Sequence, residues 1–132
     1  MGKWVRILAV EDDEIILKAL QYYLKLYGFK VDVAGDGPTA IKMAQDKKPE
    51  LILLDWMMPG MDGMEVLSEL KHDDSTSSIP VFMLTGRGMI GDLDQAFTLG
   101  ADDYITKPMD LSQLGQVVRD KWEKYKEKIC NR

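Results

Sequence analysis

No stretch of the chain constrains the fold more than Leu51-Ile52-Leu53-Leu54-Asp55. Four consecutive apolar residues are too few for a buried helix and suit a strand covered on both faces, as in a parallel sheet between helical layers. The run stops at a carboxylate, and Pro59-Gly60 turn chemistry follows within a few residues. In an open α/β sheet, ligands gather outside the carboxyl ends of the strands. Asp55 therefore stands where chemistry is expected. A helix-capping role is the plain alternative, but Pro59 and Gly60 delay the next helix, and Asp62 is better placed to cap it.

The rest of the chain alternates strand and helix around this run. Val5 to Val10 is predicted as a first strand that runs straight into Glu11-Asp12-Asp13. Between Glu14 and Tyr27, apolar residues at 16, 17, 20, 24 and 27 recur every three or four positions, giving an amphipathic helix that Gly28 ends. Asp13 caps or opens it. Phe29 to Ala34 is the second strand, and Gly35-Asp36-Gly37-Pro38 opens a helix through Ala40, Ile41 and Ala44 that ends before Pro49.

After the central strand, Asp62-Gly63-Met64-Glu65 has a capping-box pattern and leads into Val66, Leu67 and Leu70. A polar loop from His72 to Ser78 precedes a fourth strand, Val81 to Leu84, which ends at Thr85-Gly86. The next helix places Ile90, Leu93, Ala96 and Phe97 on one side, with Gly88 and Gly91 loosening its start and Gly100 closing it. Asp103 to Thr106 is the last strand, ending at Lys107-Pro108. The final helix opens at Asp110, paired with Gln113, and carries a long apolar stripe through Leu111, Leu114, Val118, Trp122, Tyr125 and Ile129. Five βα units in series imply right-handed crossovers and a parallel sheet with helices on both faces.

This order brings Glu11, Asp12, Asp55, Thr85 and Lys107 to the same end of their strands. Carboxylates crowded together repel one another unless a cation sits among them. Hard oxygen donors with room for water suit Mg²⁺, while a hydroxyl and an amine suit phosphoryl oxygens. An aspartate so placed is a nucleophile toward phosphorus.

The chain has 132 residues, enough for one domain with a core that needs no disulfide or metal. With 17 basic residues against 22 acidic, its net charge of -5 disfavours direct nucleic-acid binding. Cys130 has no partner cysteine, no run of apolar residues spans a bilayer, and no signal peptide is apparent, so the expected compartment is the cytoplasm. Lone His72 reads as solvated, the nine methionines as core filler, and the alternating charges between Lys121 and Lys128 as a solvated face. Trp122, Tyr125 and Ile129 extend the apolar stripe beyond the need of a small sheet, as an interface or as a last turn folding back.

Four motifs in order resemble the response-regulator receiver family of two-component signalling. They are Val10-Glu11-Asp12-Asp13, Asp55 through Gly63, Leu84-Thr85-Gly86, and Gly100 through Pro108, within a similarity covering about residues 5 to 120. The resemblance implies a flavodoxin-like (βα)5 fold, strand order 2-1-3-4-5, with the whole chain 1–132 a single receiver domain and its final helix extending to about residue 128. It implies that Asp55 is the phosphoacceptor. Glu11 and Asp12 would be the acidic pair, holding Mg²⁺ with Asp55 and the backbone carbonyl of Met57. Thr85 and Lys107 would contact the phosphoryl group, and Tyr104 would be the aromatic switch. Gly86 stands where alanine is usual, and Met109 where an aromatic residue is common.

The implied activity is that of a switch, which catalyses only its own phosphorylation and slow autodephosphorylation. The implied donor is a histidine kinase or histidine phosphotransfer protein. The implied output is a downstream effector reached through the fourth helix, fifth strand and fifth helix, with a phosphorylation-dependent homodimer among the allowed assemblies. With no effector segment following, the chain is expected to be a stand-alone receiver or a piece of a longer one. A phosphatase of haloacid-dehalogenase type would need an aspartate where Met57 stands. A dinucleotide site would need a glycine-rich turn where the acidic cluster stands. A phosphorylation-independent binding module would not need Asp12, Asp55, Thr85 and Lys107 together.

Overall fold

The structure, a computed structural model, describes residues 4–86, 93–106 and 110–130. Its elements alternate without exception: β1 (Val5–Val10), α1 (Glu14–Lys25), β2 (Phe29–Ala34), α2 (Gly37–Lys47), β3 (Leu51–Asp55), α3 (Gly63–His72), β4 (Val81–Thr85), α4 (Leu93–Thr98), β5 (Asp103–Thr106) and α5 (Leu111–Cys130). The five strands form one parallel sheet in the order β2-β1-β3-β4-β5. The expected (βα)5 architecture, flavodoxin-like with strand order 2-1-3-4-5, is the one observed.

β3 explains why the sheet is central to everything else. All five of its residues are buried, and alternation splits the four apolar ones between two cores. Ile52 and Leu54 join α2 and α3 residues (Ala40, Ala44, Val66, Leu67, Leu70) and Ala96 of α4 on one face. Leu51 and Leu53 join Leu20 and Leu24 of α1 and Leu114, Val118 and Trp122 of α5 on the other. Each fully buried leucine contributes about 1.5–3 kcal/mol relative to exposure.

The helix starts follow the expected chemistry. Asp13 accepts from the Ile15 and Ile16 amides at 2.8 and 3.2 Å, Asp36 from the Thr39 amide at 2.8 Å, and Asp62 from the Glu65 amide at 3.0 Å. Gly28 follows α1 with φ +87°, a backbone conformation side chains rarely adopt.

Several local expectations are corrected. α1 ends at Lys25, not Tyr27. Tyr27 lies in the turn beyond, packed so closely on Gly115 of α5 that a Cβ there would overlap its ring. His72 is the last residue of α3, its Nδ1 2.7 Å from the Ser68 carbonyl, rather than the first of a loop; it is exposed, as expected. Phe97 is 43% exposed, meeting the Tyr104 ring edge-on at 6.1 Å, while its neighbour Ala96 is buried. Asp110 is capped through Ser112, by its amide at 2.9 Å and its hydroxyl at 2.6 Å, not through the Gln113 side chain. Trp122 is buried and stacks on Tyr125, which meets Phe82 edge-on, so the stripe folds back as core as far as Tyr125 and only Ile129 remains exposed. Gly88, Ile90 and Gly91 lie outside the described residues. α5 runs to Cys130, two residues beyond expectation.

A clamp not anticipated from the sequence closes the end of the sheet where β4 and β5 begin. Lys71 of α3 donates to the Ile79 carbonyl at 2.8 Å, the Ser77 carbonyl at 3.3 Å and the Asp102 carboxylate at 3.3 Å. Asp102 in turn accepts from the Val81 amide at 2.9 Å. Gly100, with φ +112°, packs against the lysine stem, where a Cβ would come within 2.8 Å of Cγ.

Candidate functional site

At the opposite end of the sheet, β1, β3 and β4 lie side by side and stop together. Val10 pairs with Leu54, and Asp55 with Leu84, so Glu11, Asp55 and Thr85 follow one another across three adjacent strand ends. The loops leaving these strands are pinned by main-chain bonds. The Glu11 amide donates to the Ala34 carbonyl at 3.1 Å, Trp56 to Leu84 at 3.0 Å, and Gly63 to Trp56 at 2.9 Å.

Glu11, Asp12 and Asp55 converge: each offers a carboxylate oxygen, and the three atoms lie within 4.8 Å of one another. Glu11 and Asp55 are buried, Asp12 is exposed, and the Asp12 amide donates to Glu11 Oε2 at 3.2 Å. Burying carboxylates this close together is costly without a cation to share. The donor set is all oxygen, with one ligand facing solvent, which fits a hard divalent ion that retains water, as Mg²⁺ does.

Thr85 supplies a second, independent sign. It is fully buried, and its hydroxyl oxygen has no hydrogen-bond partner among the described residues. A buried hydroxyl without a partner costs roughly 1–3 kcal/mol. A phosphoryl oxygen arriving beside Asp55 is an acceptor such a donor can use.

The other expected site residues are distributed as follows. Met57 lies two positions beyond Asp55 and is 65% exposed. Tyr104 sits on β5, paired with Met83 and partly buried against the α2/α3/α4 core, with the Lys121 ammonium 5.5 Å from its ring centre. Lys107, Pro108 and Met109 lie outside the described residues.

The role of one motif residue was not read from the sequence. Gly63 opens α3 directly against the end of β3, where a Cβ would collide with the Asp55 carbonyl oxygen and come within 2.7 Å of Trp56 Cα. The glycine immediately after a helix-capping aspartate was the available signal. Among the described residues no helix is long and apolar enough to cross a membrane.

Comparison with known proteins agrees with this geometry. A family model described as the response regulator receiver domain matches residues 7–119. The chain is 42% identical over 114 residues to the DNA-binding dual master transcriptional regulator RpaA of Synechocystis, across 86% of this chain and 47% of that protein. It is 46% identical over 105 residues to the response regulator PleD of Caulobacter vibrioides, across 80% of this chain and 23% of that one. The chain thus spans about half, or less, of the length of these curated relatives. Among solved structures, the chemotaxis protein CheY4 of Vibrio cholerae superposes with a TM-score of 0.82 at 25% identity, covering 89% of this chain and 98% of that one. The receiver domain of NtrX from Brucella abortus gives 0.78 at 31% identity, covering 89% and 98%.

Proposed function

This chain belongs to the response regulator receiver domain family, the signalling switches of two-component systems, and from that premise we propose that it takes up a phosphoryl group on Asp55. The observation that carries the proposal is the convergence of the Glu11, Asp12 and Asp55 carboxylates around the end of the central strand.

In the proposed reaction an Asp55 carboxylate oxygen attacks phosphorus of a phosphohistidine donor. A new O–P bond forms, the P–N bond breaks, and the imidazole nitrogen leaves with the electron pair. Glu11, Asp12, Asp55 and the Met57 carbonyl would hold Mg²⁺, which supplies positive charge against the phosphoryl oxygens when bound. The Thr85 hydroxyl donates to one of those oxygens, a role supported by its burial without a partner among the described residues. Lys107 is assigned the balancing charge on the strength of its motif. Hydrolysis reverses the loading when water attacks phosphorus in line with the departing Asp55 oxygen.

The switch follows from the same atoms. Drawing Thr85 toward a phosphoryl group frees space beside Tyr104, which lies one strand over and touches Phe97 of α4. The face formed by α4, β5 and α5 then favours a different partner: a downstream effector, an effector domain of a longer chain, or a second copy. The partner must distinguish the two states by its own binding energy. The donor is a histidine kinase or a histidine phosphotransfer protein.

Acetyl phosphate with Mg²⁺ is expected to load one phosphoryl group on the protein and none on Asp55→Asn, read by intact-mass spectrometry. Undiminished loading of the variant overturns the acceptor assignment. Asp12→Ala is expected to keep Asp55 in place and weaken Mg²⁺ binding in a calorimetric titration; unchanged affinity would put the ion elsewhere.

A further inference from the structure

β2 is an edge strand, paired on one side with β1 and open on the other. At the first half of that strand lies a groove of about 740 Å³ lined by Trp4, Arg6, Lys18, Gln21, Tyr22, Lys25, Phe29, Lys30 and Val31. It lies at the end of β1 away from Glu11 and Asp12, and none of its residues belongs to the phosphoacceptor cluster. Four of the nine lining residues are cationic and none is acidic, in a chain whose net charge is -5. Arg6 faces Asp32 at 3.9 Å, whereas Lys18, Lys25 and Lys30 make no ion pair with any described residue.

Two exposed aromatic side chains interrupt this charge: Trp4 is 50% exposed and Tyr22 61%. The α1 contribution comes at positions 18, 21, 22 and 25, one helical face turned to the sheet edge. The main chain of the edge is engaged there as well, since the Gln21 side-chain amide donates to the Val31 carbonyl at 3.1 Å. That carbonyl therefore points into the groove, where an incoming peptide N–H could replace the glutamine. An exposed lysine on an edge strand discourages self-pairing, which accounts for Lys30 but not for two further lysines supplied by a helix.

We propose that this groove binds an extended acidic segment of a partner protein, carrying aromatic or aliphatic residues between its carboxylates, laid along β2. Charge complementarity selects the partner's sign. Phe29–Val31 is the stretch of strand that lines the groove, the outward Val31 carbonyl offers main-chain pairing, and Trp4 and Tyr22 receive the apolar side chains. The site works independently of phosphoryl transfer.

The probe is a labelled peptide of about eight residues alternating Glu and Tyr, matched to an extended strand; a Lys/Tyr peptide and inorganic triphosphate are the comparisons. The Glu/Tyr peptide is expected to bind with amide shift changes along Phe29–Val31 and Lys18–Lys25. Binding should weaken steeply between roughly 50 and 500 mM salt. Lys18→Glu/Lys25→Glu/Lys30→Glu is expected to lose about tenfold or more in affinity while keeping its thermal midpoint and its loading by acetyl phosphate. Trp4→Ala, which leaves the charge intact, should weaken the Glu/Tyr peptide and not triphosphate. Asp55→Asn should bind the peptide as the parent does. Absent binding at low salt, shifts elsewhere on the surface, equal affinity for the Lys/Tyr peptide, or indifference to the triple reversal overturns the proposal. Triphosphate competing equally and responding to Trp4→Ala in the same way would make the groove a general anion site and overturn the peptide assignment.

Discussion

Lys71→Met keeps the aliphatic stem that packs on Gly100 and removes the ammonium that three acceptors share. The lysine side chain is 14% exposed and that of Asp102 27%, with 3.3 Å between the charges. At an effective dielectric of about 20, that separation corresponds to roughly 5 kcal/mol of gross attraction before desolvation is subtracted. Hydrogen bonds to charged groups are worth about 1.5–3 kcal/mol net, and the bonds to Ile79 and Ser77 lose their donor at once. Desolvation offsets part of this, leaving an expected loss of about 2–4 kcal/mol. In urea, with a slope near 1.5–2 kcal/mol/M for a domain of this size, the midpoint should fall by about 1–2.7 M at unchanged slope.

Asp102→Asn should cost less, because its amide oxygen still accepts from Val81 and Lys71 keeps two carbonyls. Loading by acetyl phosphate should survive Lys71→Met, since the clamp lies at the end of the sheet away from Asp55. A loss below about 1 kcal/mol, smaller than one charged hydrogen bond, would refute the reasoning. So would an Asp102→Asn loss as large as that of Lys71→Met.

Gly63→Ala should destabilise by about 1–3 kcal/mol, because the clash is with main-chain atoms of Asp55 and Trp56 that cannot swing aside; a urea melt matching the parent would count against that close approach. Met57→Asn should hasten loss of phosphate from purified phosphoprotein in Mg²⁺, since an exposed amide two residues beyond Asp55 can hold an attacking water that a thioether cannot; an unchanged or slower decay would remove Met57 as a shield. The Asp36 carboxyl is held below its ordinary value of 3.8 by the Thr39 amide and then its hydroxyl, and that of Asp110 by the Ser112 hydroxyl and then its amide. Because the folded-state values are the lower ones, this stabilisation is complete above about pH 4 and is lost as pH falls through them. Asp110→Asn, which can still cap, should soften the acid limb of a circular-dichroism titration, and an identical limb would show that the cap does not titrate.

The order of elements was legible because each strand is a short apolar run that ends in a polar residue or a turn, and each helix repeats at 3.6. The acidic cluster was legible for the same reason: topology alone carries Glu11, Asp12 and Asp55 to one edge. What escaped depends on distances between segments far apart in the chain. Lys71 looks like any surface lysine until Asp102 and two carbonyls surround it. Phe97 has core spacing, but it lies edge-on to the Tyr104 ring and stays partly exposed beside the buried Ala96. Trp122 and Tyr125 could be assigned to an interface or to the core only once Phe82 was seen beneath them. The basic groove was invisible because β1, α1 and β2 each contribute only part of it.

The sheet also acts as a partition. Its two sets of buried side chains share no member, although Leu53 and Leu54 are chain neighbours. A void opened beneath Leu54 can be relieved only by groups such as Val66, Leu67 or Met83, while one beneath Leu53 falls to Leu20, Phe82 or Val118. Sequence drift is therefore negotiated separately on the two sides. Substitutions on one face must find their compensation there, and the two halves can diverge at different rates while the strands between them stay fixed.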